Sequence, residues 1–401
     1  MPTCSHPPTA RFRPMSNFDN TVVRRHTGSY KWDTPASDDV IPMWVADMDF
    51  RAPECVISAL RRRVDHGVFG YTKVRPEFYE ALTGWFSSRH GWNINTDRVI
   101  YTSGVVPAVS AIIKAITRPG DGVALLTPAY NCFYSSIRNN GCMLRSVPMI
   151  MTDHGYEIDF DALDATLSDR RTPLLILCNP QNPGGRVWTP DELQRVAETA
   201  RRHSTFVISD EIHCELTFPG TAYTPYATVA TDKRDRWAVC VSPSKAFNTA
   251  GLQIACITAS DDDAARRIDR AINDNEVCDV NPFGVEGLIA AYTPEGAQWL
   301  DELRVYLHDN FIRLSRFIES HPSLGWKLTP MEGTYLAWID VRGSGADGDT
   351  VAHRLLHSAR VMVSEGSDYG PGGENFIRIN LACPRHTLEQ ALNRIATSLV
   401  Q

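Results

Sequence analysis

The stretch "VCVSPSKAFNTAGLQ", Val239 to Gln253, sets Lys245 among small residues directly after an apolar run, in a chain with six lysines against thirty-four arginines. A lysine amine works as nucleophile or base only where its surroundings lower its pKa, and a guanidinium cannot take that part. Asp210 follows the apolar run "TFVIS", so its carboxylate is expected at a buried strand end, where an isolated charge needs a cation to meet it. About one crossover separates Asp210 from Lys245, a spacing that suits neighbouring strand ends facing one cleft. "TSGVVPAVSAII" sets Gly104 between a strand and a helix, and the N–H groups at such a helix start suit an anion, for instance a phosphate. "NPQNPGGRVW" supplies Asn179 and Asn182 in a stiff loop, "TPAY" supplies Tyr130, Ser242 and Ser244 flank the lysine, and His213 follows the aspartate.

Each feature alone has a plainer reading: a solvated lysine, an aspartate capping a helix, a glycine turn, a rigid loop. Together, a lysine nucleophile, a buried acid, an anion cradle and an aromatic at one sheet edge describe pyridoxal phosphate. That cofactor needs a Schiff-base lysine, an aspartate to keep a pyridine nitrogen protonated, and a phosphate site. The chain has no G-x-x-x-x-G-K-[ST], no G-x-S-x-G and no H-E-x-x-H, and "HCE" has no P-C-x-x-C to complete a zinc deaminase.

These residues need a scaffold, and the pattern supplies one. Between about residues 99 and 260, β-rich runs ("RVIYTS", "GVALLTP", "CMLRSVP", "PLLILCNP", "TFVISDE", "WAVCVSPS", "LQIACITAS") alternate with helix-like segments, as in a parallel sheet covered on both faces. Helices are expected at 106–117 and at 189–203, the latter with a Thr cap, a first-turn proline and acidic residues. Beyond residue 261 come helical segments at 263–275, 282–291 and 298–319. "TYLAWIDV", "VMVSEG" and "FIRINLACP" then alternate with helices at 349–359 and 385–399, a smaller α+β unit. The expected division is a tail and arm over 1–50 that packs with the small domain, a large domain over 51–285 and a small domain over 286–401.

With 401 residues and 43% hydrophobic content the chain can bury a large core. Its net charge of -7 leaves no basic footprint, so nucleic acid and anionic membrane surfaces are not expected partners, and small metabolites are. The ten cysteines form no C-x-x-C pair and are read as reduced, buried thiols. The N-terminus "MPTCSHPPTARFRPM" is Pro-rich without an apolar core, and no apolar run approaches ~18 residues. A cytoplasmic protein with a frayed tail is expected.

Over nearly the whole chain after that tail, the blocks "PMWVADMDF", "HGVFGYT", "SGVVPAVS", "TPAYNCFY", "NPQNPGGRVW", "SDEIHCEL", "SPSKAFNTAGLQ", "GTYLAWID" and "FIRINLACPR" resemble the fold-type I pyridoxal-phosphate enzymes of the aspartate aminotransferase superfamily. More narrowly, the sequence resembles the MalY/PatB-type cystathionine β-lyase, or cysteine-S-conjugate β-lyase, branch. The resemblance implies an α/β fold: a three-layer, transferase-like large domain with a mostly parallel sheet, and a smaller α+β C-terminal domain. It implies that Lys245 carries the cofactor and removes the substrate Cα proton, that Asp210 pairs with the pyridinium nitrogen, and that Asn182 meets the ring 3'-oxygen with His213 close by. Tyr130 would stack on the ring. The backbone at Gly104, Val105 and Val106, with Ser242 and Ser244, would hold the phosphate. Tyr71 would reach the phosphate of a second copy, so a homodimer with composite active sites is implied. Arg378 would clamp the substrate carboxylate, and Trp44, Tyr335 and Trp338 would build the side-chain pocket.

The implied reaction is α,β-elimination from cystathionine or another S-substituted cysteine to a thiol, pyruvate and ammonia. An aminotransferase using a 2-oxo acid, and an oxidative or decarboxylating deamination of a large S-cysteinyl conjugate, are the alternatives; a regulatory binder would have lost Lys245 or Asp210. His213 and Gln253 stand where the wider family often has tyrosine and arginine, which favours the lyase branch. Gly184 departs from the family's threonine, an exchange expected to loosen the loop around Asn182. Cys256 has no role that the sequence assigns.

Overall fold

In a computed structural model, which describes residues 17–274, 276 and 279–399, the apolar runs of the first half become one sheet. Its strands are β1 Val99–Thr102, β2 Gly122–Thr127, β3 Met143–Pro148, β4 Leu174–Cys178, β5 Phe206–Asp210, β6 Trp237–Val241 and β7 Ala255–Ala259. The N-terminal tail, with Cys4, and Cys278 lie outside the described residues. The order is β1-β7-β6-β5-β4-β2-β3. Neighbours run parallel except at β7, which is antiparallel to both β1 and β6. "LQIACITAS" therefore runs against its neighbours. Its connection from β6 carries only a turn of 3-10 helix, Ala250–Leu252, and no crossover helix of the kind that returns a chain to the same end of a sheet.

The alternation of side chains across a strand divides the core into two layers. Leu174, Ile176, Phe206 and Ile208 pack with Val109, Ile112 and Ile268 of helices Val105–Ile116 and Asp262–Asn273. Leu175, Leu177 and Val207 face the other way, toward Trp188, Leu193 and Val196. Every residue of β4 and β5 is buried, as central parallel strands with helices on both faces must be. Helix Pro190–Arg202 begins with the expected cap: the Glu192 N–H donates to Thr189 Oγ1 at 3.2 Å, and the Thr189 N–H donates to the Glu192 carboxylate at 2.8 Å.

A four-stranded antiparallel sheet follows: β8 Lys327–Leu328, β9 Leu336–Asp340, β10 Ser364–Glu365 and β11 Phe376–Asn380, in the order β8-β9-β11-β10. "VMVSEG" is divided between two sheets, because Val361–Met362 pairs in parallel with Ile41–Pro42. That pairing carries the segment after Pro42 to the edge of β11, where the Met43 carbonyl accepts from the Asn380 N–H at 2.9 Å. Among the described residues no helix is long and apolar enough to cross a membrane.

Candidate active site

The chain reversals after β4, β5 and β6 open on one cavity of about 310 Å³ whose lining includes Tyr130, Asn182, Asp210, His213, Ser244 and Lys245. Asp210 ends β5, in register with Cys178 of β4 and Cys240 of β6. Its carboxylate accepts from the Ile212 N–H at 3.1 Å. Burial, opposed only by that bond and the charge of Lys245, pushes its pKa up to about 7. Lys245 is half-buried and donates from Nζ to the Ala46 carbonyl at 2.7 Å. Burial and the nearby Arg378 charge bring its pKa down to about 8, against the pull of Asp47, Asp210 and Cys132.

His213 turns its ring edge toward Tyr335, centroids 6.1 Å apart, and its buried Nδ1 has no hydrogen-bond partner. Burial, with the charges of Lys245 and Arg378, holds it well below the usual imidazole range, so it is neutral. Arg378 of β11 is buried, lies 4.8 Å over the Tyr369 ring, and donates to Asn182 Oδ1 at 3.0 Å and to the Trp44 carbonyl at 2.9 Å. Its Nε has no partner. A buried guanidinium with a free N–H beside an aromatic ring suits a carboxylate that arrives with a ligand.

Helix Val105–Ile116 starts at the cavity wall after Gly104, with no side chain capping its first N–H groups. Those donors need a partner. Gly104 is extended, φ 166°, a conformation open to any residue. Ser244 lines the cavity, whereas Ser242 braces it from behind: its Oγ donates to the Ile254 carbonyl at 2.7 Å and accepts from the Ser244 N–H at 3.1 Å.

Three aromatic expectations change. Trp338 is core rather than pocket: its indole stacks on Phe376 at 4.8 Å and donates to Tyr156 Oη at 3.1 Å, which covers both its face and its polar edge. Trp44 reaches the site through its carbonyl, while its indole packs on Tyr30 at 5.2 Å and donates to the Lys31 carbonyl at 3.2 Å. Tyr335 points its hydroxyl at the Ala46 carbonyl, 3.0 Å away. Tyr71 is 97% exposed and is not part of this chain's own cavity.

The loop expected to be loosened by Gly184 is instead tight. A Cβ there would lie 2.5 Å from Tyr156 Cδ2 and 2.7 Å from Gln181 Oε1. The Gly184 N–H donates to Gln181 Oε1 at 2.6 Å, and Gln181 Nε2 donates to the Pro128 carbonyl at 2.8 Å. The glutamine amide does what a threonine hydroxyl was expected to do. Cys256 packs in the core from β7. The residues that the sequence reading passed over are Ala46, Gln181, Ser364 and Tyr369. Ala46 lay inside the recognised block "PMWVADMDF", but a backbone carbonyl leaves no mark on residue type.

The profile of the aminotransferase class I and II family matches residues 38–395. Cystathionine beta-lyase PatB of Bacillus subtilis is 39% identical over 388 residues, covering 96% of this chain and all of PatB. Protein MalY of Escherichia coli is 34% identical, covering 94% of this chain and 97% of MalY. Among solved structures, cystalysin of Treponema denticola, which contains pyridoxal 5'-phosphate, superposes with a TM-score of 0.91 at 33% identity, over 96% of this chain and 99% of cystalysin.

Proposed function

This chain belongs to the aminotransferase class I and II family and, within it, to the branch of PatB and MalY, and on that premise we propose that it is a pyridoxal-phosphate-dependent C–S β-lyase acting on cystathionine or another S-substituted cysteine. The cavity fits the cofactor on its own terms. Uncapped N–H groups at Val105 and Val106, with Ser244, suit its phosphate. Asp210, pushed by burial to a pKa of about 7 against the charge of Lys245, suits its protonated ring nitrogen. The Asn182 amide and the partnerless His213 Nδ1 suit its ring oxygen, and Tyr130 offers a face. When bound, pyridoxal phosphate supplies an aldehyde carbon that takes amines and a ring that accepts the electron pair left at Cα.

The observation that carries the reading is that one cavity is lined by an amine with a lowered pKa, Lys245, and by Asn182, whose Oδ1 accepts from the buried guanidinium of Arg378 at 3.0 Å. Arg378, steadied by Asn182 and the Trp44 carbonyl, holds the substrate carboxylate and so fixes where Cα lies. Lys245 takes the Cα proton, and a base with a pKa near the working pH is suited to that transfer. The thiolate departs from Cβ. Gln253, in place of an arginine, lines the same cavity. A small-molecule amino acid is the substrate class. A homodimer with shared sites is supported by Tyr71, Val68 and Phe69, which are exposed together on one short stretch.

The test is to incubate the protein with cystathionine or an S-alkylcysteine, with and without a 2-oxo acid, and to measure pyruvate and thiol. Equal release under both conditions is expected. Product that requires the 2-oxo acid would make the protein an aminotransferase.

A further inference from the structure

Lys245 and Tyr335 donate to the same acceptor. The amine at 2.7 Å and the phenol hydroxyl at 3.0 Å both reach the Ala46 carbonyl oxygen. A carbonyl oxygen has two lone pairs, so these two donors fill it. A neutral amine placed there gives one N–H to the oxygen and keeps its own lone pair. An ammonium points one of its three N–H groups at that oxygen and must share the oxygen's electron density with the Tyr335 hydroxyl, and a charge-assisted bond loses more by such sharing than a neutral one.

The acceptor is also firmly held. The Trp44 and Ala46 carbonyls face the site, while the intervening Val45 carbonyl and that of Asp47 accept from Asn380 Nδ2. The Asp47 carboxylate is gripped by Arg24 at 2.6 Å. Tyr335 is buried at the entry to β9, and its own carbonyl accepts from the Leu381 N–H at 2.8 Å.

We propose, resting on the reading of Lys245 as the cofactor-bearing base, that the Ala46 carbonyl is the seat of the Lys245 amine whenever that amine is free of the cofactor, and that Tyr335, by taking the second lone pair of the seat, weakens its hold on the ammonium and so favours the neutral amine, whose lone pair is available to Cα. Tyr335 is thus a positioning residue. Its hydroxyl is engaged by the seat rather than by the substrate side chain.

The charged and titratable groups around Lys245 come from several elements: Arg378 on β11, Asp47 on the N-terminal segment, Asp210 at the end of β5, His213 just beyond it, and Cys132 on helix Asn131–Asn139. The Tyr335 hydroxyl bonds the Ala46 carbonyl and none of these side chains, so a change in Lys245 on its removal reports on the seat. The experiment follows the rate of Lys245 acetylation by acetic anhydride against pH, read by mass spectrometry on the full chain without cofactor. The unaltered protein is expected to show a midpoint near 8. Tyr335→Phe leaves the oxygen's electron density to Lys245 alone, which strengthens the charge-assisted bond of the ammonium more than that of the neutral amine, so the midpoint moves up by about half a pH unit or more. With 3-fluorotyrosine at position 335, a stronger donor of nearly the same shape, it moves down. This second variant decides the matter alone if Tyr335→Phe does not fold. Midpoints that match the parent would overturn the seat. If Lys245→Ala keeps the visible cofactor band, the reading of Lys245 itself fails; if the band needs Lys245 while the Tyr335 variants titrate like the parent, only the seat fails.

Discussion

Two lysines, Lys31 buried and Lys245 half-buried, bond the same short segment, residues 46–49, and their surroundings differ in kind. Lys31 has Asp49 at 3.0 Å and Asp47 at 4.0 Å, and Arg24 bridges the same two carboxylates. Trp32 adds a third donor to Asp49 at 2.7 Å. Lys245 has a carbonyl instead of a carboxylate, and the charge of Arg378 repels it. The aspartates differ in the same way. Asp49 is met by two cations and an indole, whereas Asp210 has one backbone N–H and a pKa pushed up to about 7. A buried charge whose partners are complete holds structure and has nothing left to give. A buried group whose partners are missing can act on a ligand that completes them.

The contrast can be broken by substitution. Lys245→Ala should lower thiol and pyruvate release by at least about 10³-fold, since it removes both cofactor attachment and base, while urea unfolding of the cofactor-free chain shows no loss of stability. Lys31→Met should do the reverse: it leaves the two carboxylates with Arg24, and with Trp32 on Asp49, and is expected to destabilise by about 3–5 kcal/mol, read as a fall in the urea midpoint. A loss below about 1 kcal/mol would place Lys31 with the weak surface pairs.

Asp210→Asn tests the acidic half. The folded pKa near 7 lies above the unfolded value of about 3.9, so between those limits the folded cofactor-free chain holds the extra proton. Its stability therefore falls as pH rises through that window, and the penalty is complete above pH 7. The variant should melt several degrees higher than the parent at pH 8, with the gap closing toward pH 4, and should gain less from added pyridoxal phosphate. Asp49→Asn should melt lower than the parent at pH 8. The smallest effect is expected at Ser364, whose hydroxyl donates to the Trp44 carbonyl at 3.0 Å. Ser364→Ala should raise KM a few-fold, about 1 kcal/mol, with kcat and melting temperature unchanged.

Lys245 and Asp210 were legible because each is a polar residue at the end of an apolar run, and the strand order makes their strands neighbours. The capped helix Pro190–Arg202 was legible for the same local reason. Lys31 was not: nothing near "SYKWD" announces that Asp47 and Asp49 will close on it. The Ala46 carbonyl was hidden as well, because its bond to Lys245 spans 199 residues and uses no side chain of its own. Trp338 and Trp44 were taken for pocket walls since an aromatic beside a site motif can face either way, and only packing against Phe376 and Tyr30 decides. Gly184 was misread because the substitute for the missing hydroxyl, Gln181, lies within the same loop and acts through a fold-back that residue type does not encode.

The most direct measurement is borohydride reduction of the cofactor-loaded protein, followed by digestion and mass spectrometry of the pyridoxyl-bearing peptide. The mass is expected on Lys245 and absent from Lys31, and a label on Lys31 or any lysine other than Lys245 would contradict the assignment of the two.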